Sequence, residues 1–169
     1  AVKRFGQFMD TTRIGFMGHG FGGGAVPSLM RRALTERHWG TEGAFMYLMA
    51  PWYTYSVDPR DFQNFPGGVK VAVQTFDDDN LNDPRIAQDI YRSIEVPASE
   101  KTFLIVYGDR RGGCALEAND NVPQSSGSFY GEDDALDYYG VYRVADALMD
   151  YAFQKDTAAR DIIFPRGKA

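Results

Sequence analysis

Residues able to do nucleophilic or acid–base chemistry are few in this sequence, and most of them cluster. The histidines are His19 and His38, and the one cysteine is Cys114. A lone cysteine excludes an internal disulfide framework and a cysteine-rich zinc site, and reads as a partly buried, inert thiol. His19 lies in the run Gly18-His19-Gly20-Phe21-Gly22-Gly23-Gly24; aspartates gather at Asp77-Asp78-Asp79, and serines at Ser125, Ser126 and Ser128. Acyl-transfer chemistry would need a nucleophile, a base within hydrogen-bond reach of it, and an acid to orient the base. The elements that carry these residues decide whether they can meet.

Four short apolar runs bounded by turn residues, at 13–17, 44–50, 69–75 and 102–107, alternate with helical patterns. That alternation predicts an α/β fold, a mainly parallel sheet with flanking helices. One helix is expected over 26–34, running on into Thr35, Glu36 and Arg37, and another over 84–94 behind the capping residue Asp83. A third spans 133–153, with Leu136, Val141, Val144, Ala145, Leu148 and Ala152 on one stripe and Asp137, Arg143, Asp146 and Asp150 off it. Turn-forming composition fills 53–68 and 109–130, and such loops build sites in α/β folds. The tail Ile162-Ile163-Phe164-Pro165, followed by charged residues, reads as frayed.

With 169 residues, 44% of them hydrophobic, the chain can bury one substantial core, so residues 1–169 are expected to form one domain. The net charge of −5 and the lack of a basic run argue against a nucleic-acid partner. No apolar run approaches the roughly 18–20 residues that span a bilayer. The start, Ala1-Val2-Lys3-Arg4, has neither an initiator methionine nor a signal-peptide core, which suggests a chain beginning mid-gene or after cleavage.

From Arg13 to Gly24 the sequence passes from a strand through a tight glycine turn into a helix. It resembles the G-H-S-x-G-G nucleophile elbow of the α/β-hydrolase superfamily, in its dienelactone-hydrolase and polyester-hydrolase-like branch. In that motif, small residues two before and two after the nucleophile let the chain turn sharply, roles that fall here to Gly18 and Gly22. The nucleophile's position is Gly20, which has no side chain and forms no acyl-enzyme by the usual route. By the same resemblance His19 packs under the elbow, Ala50-Pro51-Trp52 matches the family's pattern after the next strand, and the triad aspartate falls on Asp79, with Asp78 next. The triad histidine belongs in the loop after the last strand, which reads Tyr107-Gly108-Asp109-Arg110-Arg111-Gly112-Gly113-Cys114 and holds none.

Loss of both serine and histidine implies a naturally degenerate site. The resemblance also places this chain as the second half of the family fold, since only 12 residues precede Arg13. The strand at 13–17 would normally be central, so its outer edge should be covered by another copy, a separate chain or an N-terminal portion, the last two being favoured. The expected function is therefore a non-catalytic hydrolase-like domain with a binding or assembly role and no cofactor. Phe21, His19, Trp52 and Tyr53 are its candidate binding residues, for a small anion at the amides near Phe21 or for an apolar ligand.

Alternatives from other classes remain open. A carboxylic-ester hydrolase would need a displaced nucleophile, at Ser125, Ser126 or Ser128, or one from a partner, with a base to match. A Rossmann-like nucleotide-binding domain would use the glycine run as its phosphate loop, but the next strand ends in Pro51-Trp52-Tyr53 without a ribose-binding acid. Asp78, Asn80, Asn82 and Asp89 have calcium-loop offsets, yet the turn glycine is replaced by Asp83 and followed by Pro84, so no metal is expected. The aromatics Trp52, Tyr53, Tyr55, Phe62, Phe65, Phe129 and Tyr130 either line a groove or cover the core beneath long loops.

Overall fold

The computed structural model describes residues 6–53, 58–66, 68–110, 112–124 and 133–164. Four strands, β1 (Arg13–His19), β2 (Gly43–Met49), β3 (Val69–Phe76) and β4 (Lys101–Val106), form an all-parallel sheet in the order β1-β2-β3-β4. Every apolar run of the sequence is a strand. β1 runs on to His19, past the expected end at Met17, because ladder pairing with β2 continues through Gly18↔Leu48 and His19↔Met49.

Two crossover helices cover one face. α1 (Phe21–Glu36) follows β1 and α2 (Pro84–Ser93) follows β3. Val26, Met30 and Leu34 of α1 pack with Met46, Leu48, Val71 and Val73 of the sheet and with Ala87 and Ile90 of α2. α1 begins five residues earlier than its sequence suggests. Glycine is a poor helix former, so Gly22-Gly23-Gly24 reads as a turn. Contact overrides that preference: a Cβ on Gly23 would stand 3.0 Å from the Gly18 carbonyl oxygen and 3.2 Å from that of Met49. As expected, Asp83 caps α2, its carboxylate accepting from the Arg85 amide at 2.9 Å.

The opposite face is covered by a third helix, α3, whose pitch changes twice. It is π-helical over Asp137–Tyr142, α-helical over Arg143–Met149 and π-helical again over Asp150–Gln154. The first π turn turns Asp137, expected on the outer side, inward, where it is buried. A fourth helix, α4 (Thr157–Ile163), replaces the expected frayed tail at 162–164. Asp156 caps it by accepting from the Ala158 amide at 2.7 Å, and Ala159, Ile163 and Phe164 are buried in the core. Residue 165 of that expected tail lies outside the described residues.

Burial is uneven across the sheet. Every residue of β2 and β3 is buried, whereas β1 lies at an edge and alternates between exposed and half-buried positions. Met17 on β1 is 45% exposed. Among the described residues, β1 pairs with β2 alone. Cys114, read as partly buried, is exposed, since it lies in the loop beyond β4 and not in the core. Among the described residues, no helix is long and apolar enough to cross a membrane.

Candidate functional site

In a parallel sheet, ligands and reactive groups collect beyond the carboxyl ends of the strands, because the loops there converge. His19, Ala50, Asp77 and Tyr107 are the points at which the chain leaves or is about to leave the four strands. The turn after β1 is sharp. Gly20 has φ 55° and ψ −124°, a combination that strains any residue with a side chain. Its amide donates to the Met49 carbonyl at 3.0 Å, and its carbonyl accepts from Trp52 at 2.9 Å and Gly24 at 3.1 Å. The end of β2 thus clamps the turn from both sides.

The glycines around this turn have different roles. A Cβ on Gly18 would stand 2.5 Å from the carbonyl carbon and oxygen of Gly22, so the strand and the first turn of α1 touch through bare backbone. A Cβ on Gly22 or on Gly20 meets nothing within 4 Å. Gly18 is therefore required by close packing, and Gly20 stands under open space where a side chain would project.

Polar groups around the turn engage one another across the loops. His19 Nε2 lies 2.8 Å from Asp120 Oδ1. The same oxygen accepts from Asn82 Nδ2, whose amide also donates to Asp79 Oδ2 at 2.9 Å. Asp79 Oδ1 accepts from the backbone amides of Leu81 and Asn82, at 2.8 and 2.9 Å. His19, Asp120, Asn82 and Asp79 form one chain of contacts joining the ends of β1 and β3 to the loop after β4.

No histidine touches Asp79, the expected triad acid. The alternative, Asp78, accepts from the Ala118 amide at 3.2 Å and faces the Arg110 guanidinium at 3.7 Å, while Asp77 accepts from the Gly108 amide at 2.8 Å. All three aspartates hold loops in place. The partners of His19 escaped the sequence reading because Asn119-Asp120-Asn121 looks like ordinary turn chemistry and Asn82 like part of an acidic turn. The only signal would have been tertiary, since His19 and Asp120 are 101 positions apart.

The four offsets of the calcium pattern do not converge. Asp78 faces Arg110, Asn80 donates to the Asp78 carbonyl at 3.0 Å, and Asp89 lies on α2, 3.6 Å from Arg92. No group of histidine, cysteine, aspartate or glutamate side chains among the described residues could hold a metal ion.

Among the candidate binding residues, Phe21 is 57% exposed and meets half-buried Trp52 edge to face, with ring centroids 6.3 Å apart. Tyr53 and Phe62 line a hollow of about 480 Å³ between the start of α1 and α2, and the Tyr53 hydroxyl reaches Asp89 at 3.4 Å. Phe65 packs against the core. Aromatic residues here thus both line a hollow and cover the interior. Ser125, Ser126, Ser128, Tyr55, Phe129 and Tyr130 lie outside the described residues.

No protein-family model matches this sequence, and no curated protein sequence matches it. The α/β-hydrolase resemblance therefore rests on sequence motifs alone.

Proposed function

We propose that this chain is a non-catalytic α/β-hydrolase-like scaffold, corresponding to the second half of that fold, whose role is assembly. The observation that carries the proposal is Gly20. It occupies a strained elbow conformation suited to presenting a nucleophile, beneath open space, and supplies none. The acid that should support the base, Asp79, is bound instead by Asn82 and its own turn.

Assembly follows from the edge of the sheet. Among the described residues no strand pairs with the outer edge of β1, which lies beside the exposed Met17 side chain and is a template for a further strand. A preceding segment or a separate chain would supply that strand. A small anion at the Phe21 amide is disfavoured on this reading, because the Asp120 carboxylate sits against neighbouring His19.

The test is incubation with p-nitrophenyl acetate and butyrate. No turnover above buffer is expected; turnover that co-purifies with the chain and disappears in Asp79→Ala or His19→Ala overturns the proposal. Native mass spectrometry tests assembly, with particles heavier than 18.9 kDa expected and Met17→Lys shifting them toward the single chain.

One observation favours a second reading. His19 held by Asp120 is a base paired with an orienting acid, the arrangement that activates a nucleophile. An ester hydrolase with its nucleophile at Ser125, Ser126 or Ser128, or on a partner, would use it. Labelling of one serine by a fluorophosphonate probe supports this reading, and no labelling removes it.

A further inference from the structure

We propose that the groove between α3 and α4 docks a partner segment that is apolar on one face and rich in lysine and arginine along its flanks. The groove has a volume of about 880 Å³ and shares no residue with the rim around Gly20, so the inference does not rest on the hydrolase reading. Its floor is small and apolar, with Ala147 and Ala159 buried and Ile162 at 42% exposure beside them. Short side chains on a floor let an incoming segment approach closely.

The walls carry rings and acids. Tyr138, Tyr139 and Tyr142 are 59%, 70% and 39% exposed. Tyr138 and Tyr142 meet edge to face at 5.6 Å, so they stand as a fixed pair. Single exposed aromatics are ordinary, but three on one stripe of one helix form a contiguous patch of the kind that marks interaction sites. The π turn over Asp137–Tyr142 supports this, because Leu136 and Val141, five positions apart, both pack inward while the three tyrosines stay outside.

Charge selects the occupant. Among the described residues, Asp134, Asp146, Asp150 and Asp156 line the groove against a single cation, Arg143. Asp146 is exposed, and no hydrogen bond or ion pair engages its carboxylate among the described residues. Carboxylates interleaved with tyrosine faces favour ammonium and guanidinium groups, which pair with the former and stack over the latter. Shape narrows the choice further. The groove residues along α3 and its immediate lead-in extend from 135 to 150. At the helical rise this is roughly 20 Å, the length of three to four helical turns, and it suits a segment of a protein better than a compact molecule.

Fluorescence anisotropy with a labelled leucine–lysine helical peptide of about 14 residues, and with its leucine–glutamate counterpart, tests the proposal. The lysine peptide binds and the glutamate peptide does not. Asp146→Lys and Tyr139→Ala, both exposed positions whose variants should keep the wild-type circular dichroism, each weaken binding by about 10-fold. Glu36→Lys makes the same charge change on α1, across the sheet, and leaves binding within about 2-fold. Absence of binding overturns the proposal. So does equal weakening by Glu36→Lys and Asp146→Lys, which would mean attraction to the net charge alone. Either failure leaves the ester assay and its conclusion untouched.

Discussion

The rim around Gly20 and the groove between α3 and α4 each gather four aspartates, and they differ in one of them: the groove leaves the Asp146 carboxylate unengaged among the described residues. At the rim, Asp77, Asp78 and Asp120 each engage a backbone amide or a side chain of another turn, and Asp79 fixes its own turn and the Asn82 amide that reaches Asp120, so their negative charge is spent on joining loops. In the groove, Asp134, Asp150 and Asp156 likewise accept from Leu136, Gln154 and Ala158, whereas the Asp146 carboxylate faces solvent beside exposed tyrosines with no partner among the described residues. Acidic residues at the ends of strands are therefore no guide to chemistry here. Those left without partners on a helix surface say more about what the protein meets.

The sharpest way to break this comparison is at the glycine on which the rim is built. Gly18→Ala should cost about 3 kcal/mol in urea unfolding, because its Cβ would meet backbone that cannot move aside. Gly22→Ala, two residues beyond the turn, should instead be neutral or stabilising by up to about 1 kcal/mol, since its Cβ meets nothing and alanine favours helix. Equal effects would show that the close approach of β1 and α1 does not hold the elbow.

Next in size, Asp120→Ala leaves His19 and Asn82 without their shared acceptor. A loss of about 1–3 kcal/mol is expected, with faster amide exchange through 116–122. Its counterpart in the groove, Asp146→Ala, should change unfolding free energy by less than about 0.5 kcal/mol, because nothing depends on that carboxylate.

Acid titration separates two further aspartates by sign. Hydrogen bonds from Arg85 lower the pKa of Asp83 from 3.8 to about 2. Its contribution is present above pH 3.8 and is lost as the pH falls toward 2. Burial raises the pKa of Asp137 above 3.8, so its contribution is present below 3.8 and is lost as the pH rises through the folded value. Relative to wild type, Asp83→Asn should be less stable at pH 5 and converge with it toward pH 2. Asp137→Asn, which keeps an acceptor for the Asp134 amide, should gain on wild type as the pH climbs above 4. Unfolding midpoints measured across that range check both.

Much of the fold was legible because hydrophobic period is a local signal. Each apolar run became a strand, and the capping residue Asp83 marked the start of α2 where it was expected. What escaped depended on contacts distant in sequence or on short elements. The start of α1 was hidden because glycine propensity points away from helix while packing against Gly18 and Met49 demands it. α4 was hidden because seven residues give little periodicity, although Asp156 and the spacing of Ala159 and Ile163 carry its cap and inward face. At the site, the elbow glycines could be read one by one, but the engagement of His19 by Asp120 exists only once the loop after β4 folds back over the sheet.

The changing pitch of α3 has a consequence for sequence change in this helix. Each residue of an α-helix turns the chain by about 100°, and the wider π turn at Asp137–Tyr142 turns it by less, so that turn holds a surplus residue without breaking the helix. Deleting a single residue there, such as Gly140, would let that turn relax to ordinary winding while the segment from Arg143 onward keeps its orientation to the sheet. The same deletion within Arg143–Met149 has no surplus to draw on. It would swing the tyrosine stripe and the core stripe out of step, exchanging wet side chains for dry ones along half the helix.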